Sequence, residues 1–204
     1  MSALVLTSDH RDALQEIVNI GIGAAGAGLA TALNCFVRLS VPKIRQIPSV
    51  ELGSAISQGA WKDRRVSVVR QAFYNRMQGE VVVLFDARGC HEIADLLGHA
   101  GDIGRLLEQE LLLDVSNILV GACLNGIAGQ LRARLGYSAP RILCEDLPIS
   151  KVFETLEPKA AEALLIQIGF SLESRSFACQ LVIFMPDASL VPLRASLDDF
   201  LKSL

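Results

Sequence analysis

Two stretches of this chain, 98 residues apart, carry the same polar spacing. Asp12, Glu16, Asn19, Gly23, Gly28 and Pro42 recur as Glu110, Asp114, Asn117, Gly121, Gly126 and Pro140. Ala30 and Leu33 recur in that register as Ala128 and Leu131. A gap-free match over so many positions marks an internally duplicated unit. Whatever the first half builds, the second must build again. The expectation is one domain made of two repeats, about residues 9–100 and 103–204, related by a pseudo-twofold axis.

Helical geometry explains the spacing. Asp12, Glu16 and Asn19 stand at i, i+4 and i+7, on one face of a helix, and Gly23 continues that face. Leu14, Ile17, Val18, Gly21, Ala25 and Gly28 fall opposite. The branched residues suit a core, and the small ones let a neighbour pack close to the helix backbone. Each repeat therefore presents an acidic-amide front on a helix with a buried back.

Hydrophobic residues make up 51% of the 204 and charged residues only 20%, which supplies a core and argues against disorder. A net charge of −3 gives no electrostatic case for nucleic acid, and no basic amphipathic stretch invites anionic lipid. The uncharged run from Glu16 to Arg38 is long enough for a membrane span. Asn19, Thr31, Asn34 and several glycines interrupt it, and its repeat from Asp114 to Arg132 is shorter. A buried helix of a soluble protein accounts for both copies, so no membrane insertion is expected. The five cysteines are scattered and lack C-x-x-C spacing, and no secretory n-region precedes an apolar run. Reduced thiols in the cytoplasm are the expectation.

In order, the pattern predicts a helix from about Asp9 to Leu33, with Thr7 or Ser8 as N-cap and Asn34 as its end. A strand follows from Phe36 through Pro42 toward Ile47, with the proline marking an edge or bulge. Ser49 is expected to cap a short helix to Gln58. Arg65–Phe73 and Gly79–Phe85 read as a hairpin, and Asp86 as the cap of a helix ended by Gly98. The second half repeats this. A helix from about Ile103 is ended by Gly136, and a strand runs from Tyr137 to about Cys144. A short helix follows over 150–156, then a hairpin of 163–172 with 177–185. Ser189 is expected to cap the last helix, with Pro192 in its first turn. Helices beside an antiparallel sheet define an α+β fold.

Other patterns carry less. Gly21, Gly23 and Gly26 spell G-x-G-x-x-G, but that fingerprint must follow a strand and open a helix, and here it lies inside one. His91, Asp95 and His99 are spaced by four, yet Gly98 ends the helix before His99, and His10 has no partner at ligand spacing. No intrinsic metal site is therefore expected. No G-x-S-x-G elbow supplies a nucleophile. Trp61, ahead of Arg64 and Arg65, is expected to tuck over the core.

The doubled spacing resembles the signature of the CheC/CheX/FliY family of chemotaxis phosphatases: Asp or Ser, three residues, Glu, two residues, Asn, twenty-two residues, Pro. Asp12, Glu16, Asn19 and Pro42 match it fully. Glu110, Asp114, Asn117 and Pro140 match its spacing, with Asp114 in place of Glu and Glu110 in place of Asp or Ser. Length and duplication look CheC-like and cover essentially the whole chain. The resemblance implies hydrolysis of the aspartyl phosphate on a CheY-like receiver domain, which supplies its own Mg²⁺ and a lysine. Glu16 and Asp114 would pair with that lysine, and Asn19 and Asn117 would orient the attacking water. CheC-like members also bind CheD, a receptor deamidase, and a binding adaptor with little turnover is the alternative function.

The residue chemistry agrees independently. An acyl phosphate has a good leaving group, so positioning and charge stabilisation can supply most of the catalysis. A carboxamide is no general base, but it can accept from one water proton and donate to an oxygen. A carboxylate one turn earlier can anchor a cation of the docked partner, and a rigid helix is a good platform for both groups.

Overall fold

The structure, a computed structural model, describes residues 6–87, 90–99, 104–152, 162–173 and 175–203. Helix α1 spans Ser8–Leu33. Of the two cap candidates Thr7 serves: its hydroxyl accepts the His10 N–H, and the His10 ring accepts the Thr7 N–H. Asn34 ends the helix in the left-handed region at φ 47°. The Cys35 N–H then reaches back to Ala30 O at 3.2 Å, which closes the turn.

Strands β1 (Val37–Leu39) and β2 (Lys43–Pro48) follow, with Pro42 in the corner between them. A 3-10 turn at Ser49–Glu51 leads into the short α2, Leu52–Ile56. Ser49 caps neither; the chain enters the turn from Pro48, and Ser49 is buried. Strands β3 (Arg65–Asn75) and β4 (Gly79–Asp86) form the first hairpin. Asp86 closes β4, buried, and pairs with Arg64, whose guanidinium lies 5.6 Å over the Trp61 ring. The helix start it is expected to cap falls at residues 88–89, outside the described residues. Helix α3 covers Cys90–Leu96, and Gly98 turns the chain at φ +82°, so His99 falls off the helix.

Helix α4 spans Arg105–Gln130; its expected start at Ile103 lies outside the described residues. It ends earlier than Gly136, which sits in strand β5, Leu135–Tyr137. The left-handed residue is Arg132, φ 47°, the repeat of Asn34, and the Ala133 N–H reaches back to Ala128 O at 2.9 Å. The turn is thus imposed by its place in the repeat, against the residue preference that favoured a glycine. Strand β6 (Arg141–Pro148) and the short α5 (Ile149–Val152) follow; the expected helical residues beyond Val152 lie outside the described residues. Strands β7 (Glu162–Leu172) and β8 (Ala178–Pro186) form the second hairpin, and α6 (Leu190–Leu201) ends the described fold. Ser189 does not cap α6. It is buried, its hydroxyl donating to Gln78 O at 2.7 Å and accepting the Gln78 N–H at 3.1 Å.

All eight strands form one antiparallel sheet in the order β1-β7-β8-β4-β3-β5, with β2 beside β7 and β6 beside β3. The halves interlock. The first half's β1 and β2 flank the second half's hairpin, and β5 and β6 flank the first. The ladder is symmetric about the central pair Val83↔Leu181, whose members stand 98 residues apart. One face of the sheet packs on α1 and α4 through a large core that includes Leu14, Ile17, Leu29, Val83, Leu119 and Leu181, all fully buried. The other face carries a smaller core under α2 and α5. Each fully buried side chain of this size contributes about 1.5–3 kcal/mol.

Helices α1 and α4 are long and apolar enough to cross a membrane by length and composition. Here their apolar sides are spent on the sheet and on each other. They meet antiparallel, Gly21 against Gly126 and Gly28 against Ile118. A Cβ added to Gly126 would lie 2.7 Å from the Gly21 Cα, so this crossing requires glycine on both sides.

Candidate functional site

The core pins the back of α1, which leaves Asp12, Glu16 and Asn19 exposed in a row on its front. On α4 the same logic exposes Glu110, Asp114 and Asn117. Among the described residues, none of these six side chains makes a hydrogen bond or ion pair within the chain. The remaining members of the doubled spacing are structural. Pro42 is buried, and its carbonyl accepts the Gln15 amide at 3.4 Å. Pro140 is half-buried beside Leu113.

The two sites are separate. Asn19 precedes the Gly21–Gly126 crossing by two residues and Asn117 by nine, on helices running oppositely. At the helical rise this sets them about 16 Å apart along the helix axes. They cannot act on one small group together.

Sequence reasoning missed the corner beside each site. Ser40 donates its N–H to Gly169 O at 2.9 Å and accepts the Gly169 N–H on its hydroxyl at 2.8 Å. Ser138, 98 residues on, does the same with Ala72, both bonds 2.9 Å. Each serine hydroxyl replaces a strand carbonyl and locks the turn before Pro42 or Pro140. The repeat offset that revealed the prolines also holds these serines, two residues before each. The first corner lies along α1, with Leu39 packed on Gly26 at one end and Pro42 bonded to Gln15 at the other. It therefore passes the turn that carries Asn19.

Near the second site an open groove of about 690 Å³ runs between α4 and β6, lined by Gln109, Leu113, Pro140 and Ile142 among others. Neither Asp114 nor Asn117 lines it. Glu145 closes one end, held by Arg105 at 2.6 Å and by the Gln109 amide at 2.9 and 3.0 Å. The Arg105 hydrogen bond, first among the causes, holds the Glu145 carboxyl below the usual carboxylate range. It is a satisfied structural pair. Burial pushes the Cys123 thiol up to about 12 and raises Cys35, Cys144 and Cys179 as well, which disfavours the thiolate at these four positions.

Chemically, each site offers an amide and two carboxylates on one rigid helical face. Mixed helices over a curled antiparallel sheet give the fold of the CheC and FliM middle-domain proteins. FliY from Thermotoga maritima shares it with TM-score 0.73 at 17% identity, covering 97% of this chain and 100% of that one. FliM in the FliG–FliM complex from H. pylori matches with TM-score 0.62 at 12% identity, over 92% and 98%. A CheC-like superfamily protein from Shewanella sp. PV-4 matches with TM-score 0.58 at 14% identity, over 88% and 99%. The family model described as the CheC-like family matches residues 10–44, the stretch that holds Asp12, Glu16, Asn19 and Pro42. The family match covers the first motif, and the solved structures share the fold.

Proposed function

We propose that the chain is a cytoplasmic phosphatase of a CheY-like response regulator, active in chemotaxis signalling. The observation that carries this reading is the idle front of α1: an amide and two carboxylates, exposed, that the fold uses for nothing. In this mechanism Glu16 pairs with a lysine of the receiver, and Asn19 reaches its phosphorylated aspartate. The Asn19 amide accepts one proton of the attacking water and donates to an oxygen at the reacting centre, which fixes the water in line. Asp114 and Asn117 repeat the arrangement on α4. The Mg²⁺ belongs to the receiver, whose phosphate and carboxylates would hold it; this chain contributes no ligand. CheD is a further candidate partner.

The alternative reading is a non-catalytic adaptor. It is favoured by the H. pylori FliM match, a protein of this fold solved in complex with FliG. The decay of phosphorylated receiver separates the two. Accelerated decay with this protein at substoichiometric amounts is expected. Slowed decay at stoichiometric amounts would establish the adaptor instead.

The second site should be the weaker one. Asp114 is one methylene shorter than Glu16, about 1.5 Å of reach. Ion-pair attraction and hydrogen-bond geometry both degrade over that distance, and Glu110 sits a turn further back. Asn117→Ala should therefore cost less turnover than Asn19→Ala. In an Asn19→Ala background, Asp114→Glu should raise the remaining turnover. An unchanged or lower rate there would refute the reach argument.

A further inference from the structure

Gly23 and Gly121 are equivalent positions, each one turn beyond its asparagine on a 26-residue helix. A Cβ built on either meets nothing within 4 Å. They differ in this from Gly21 and Gly126, whose missing side chains let the helices touch. Glycine inside a helix costs about 0.5–1 kcal/mol relative to alanine. Nothing within the described fold offsets that cost at Gly23 or Gly121. What a bare backbone does provide is a closer approach for a bound molecule than any side chain would allow.

The surroundings of the two glycines differ. Along α1 near Gly23 the surface is aliphatic: Ile20, one turn earlier on the helix, and Leu39, packed on Gly26, are each 41% exposed, and Val41, next to the Pro42 that bonds Gln15, is 78% exposed. In the second repeat Ile118 packs on Gly28 across the helix crossing, and Ala139 stands where Val41 does. Ala27 is replaced there by Asn125, which accepts the Tyr137 hydroxyl at 2.6 Å. Next to the first rim, Asp12 and Glu16 have no cation among the described residues. Unpaired carboxylates beside bare backbone and an aliphatic rim complement a protein surface that carries a cation among aliphatic side chains.

We propose that Gly23 is the seat on which the phosphorylated receiver rests against α1, and that the rim of Ile20, Leu39 and Val41 makes the first repeat the principal docking site. The occupant rests on the function proposed above; the seat rests on the clearance at Gly23 and the asymmetry of the rims.

The test uses the intact chain and receiver domains from the same genome, phosphorylated with acetyl phosphate in Mg²⁺. Gly23→Ala and Gly23→Leu should raise the melting temperature, because both replace a helical glycine in open space. Gly23→Leu and Val41→Asp should nevertheless weaken receiver binding at least about tenfold and raise KM with little change in kcat. Gly121→Leu and Ala139→Asp should weaken binding less than about twofold. Unchanged affinity in folded Gly23→Leu, or equal losses at the mirror positions, overturns the seat while leaving the phosphatase reading intact. Binding without turnover by the unsubstituted chain overturns the phosphatase and leaves the seat. A chain that binds no receiver overturns both.

Discussion

Replacing Asn19 and Asn117 together by alanine should return the receiver to its spontaneous rate of dephosphorylation. Asn19→Ala alone should lower turnover at least about tenfold, a loss of about 1.4 kcal/mol of transition-state stabilisation. The amide is the group proposed to orient water, and the carboxylates of Asp12 and Glu16 in the same row cannot donate to an oxygen while ionised. Neither asparagine contributes to the described fold through its side chain, since both are exposed and without intrachain partners. Alanine is the better helix former, so the double variant should melt no lower than the parent and a little higher. Loss of activity with retained or raised stability separates chemistry from folding. Full turnover in the double variant, measured on phosphorylated receiver, would refute any amide mechanism.

Gly126→Val should be among the most destabilising single changes in the chain. Its Cβ would fall 2.7 Å from the Cα of Gly21, an atom of the facing backbone that no rotamer change can move. The helices would have to part, and both are fixed to the sheet by fully buried residues, Ile17 and Leu29 on one and Leu119 on the other. Overpacking typically costs about 1–3 kcal/mol and more where backbone must shift. With the branched side chain and its lost helix propensity, a loss of about 4 kcal/mol is expected. For a chain of this size that lowers the melting temperature by roughly 8–16 °C. Thermal unfolding followed by circular dichroism reads this directly. A melting temperature within a few degrees of the parent would show that the crossing is more pliable than its geometry indicates.

These two results bear on opposite faces of the same helices, and both faces could be read from the residues. The period of Asp12, Glu16 and Asn19 placed the exposed row, and the small residues behind it pointed to a close crossing. The short-range punctuation was less legible. Gly136 suggested a helix end by residue type, whereas Arg132 takes the left-handed turn because its repeat position requires it. Ser49 and Ser189 are good caps by type, yet both are buried and neither side chain caps a helix. The partner of Ser189 lies far along the chain, at Gln78. No local pattern encodes such a partner. The serine corners were within reach, because Ser40 and Ser138 share the offset of the prolines, but their role depends on strand pairing with distant residues.

Pairing across the halves has a consequence for inheritance. A tandem array can lose a unit by truncation, because each unit keeps its own neighbours. Here the edges of each half are supplied by the other. A deletion that removed the α4 motif together with its repeat would also strip β5 and β6 from the first hairpin, and would take away the glycine on which α1 rests. The second motif is therefore carried forward whether or not it earns its place chemically. Its acidic residues can drift, as Asp114 and Glu110 have relative to Glu16 and Asp12, while the helix beneath them cannot be discarded.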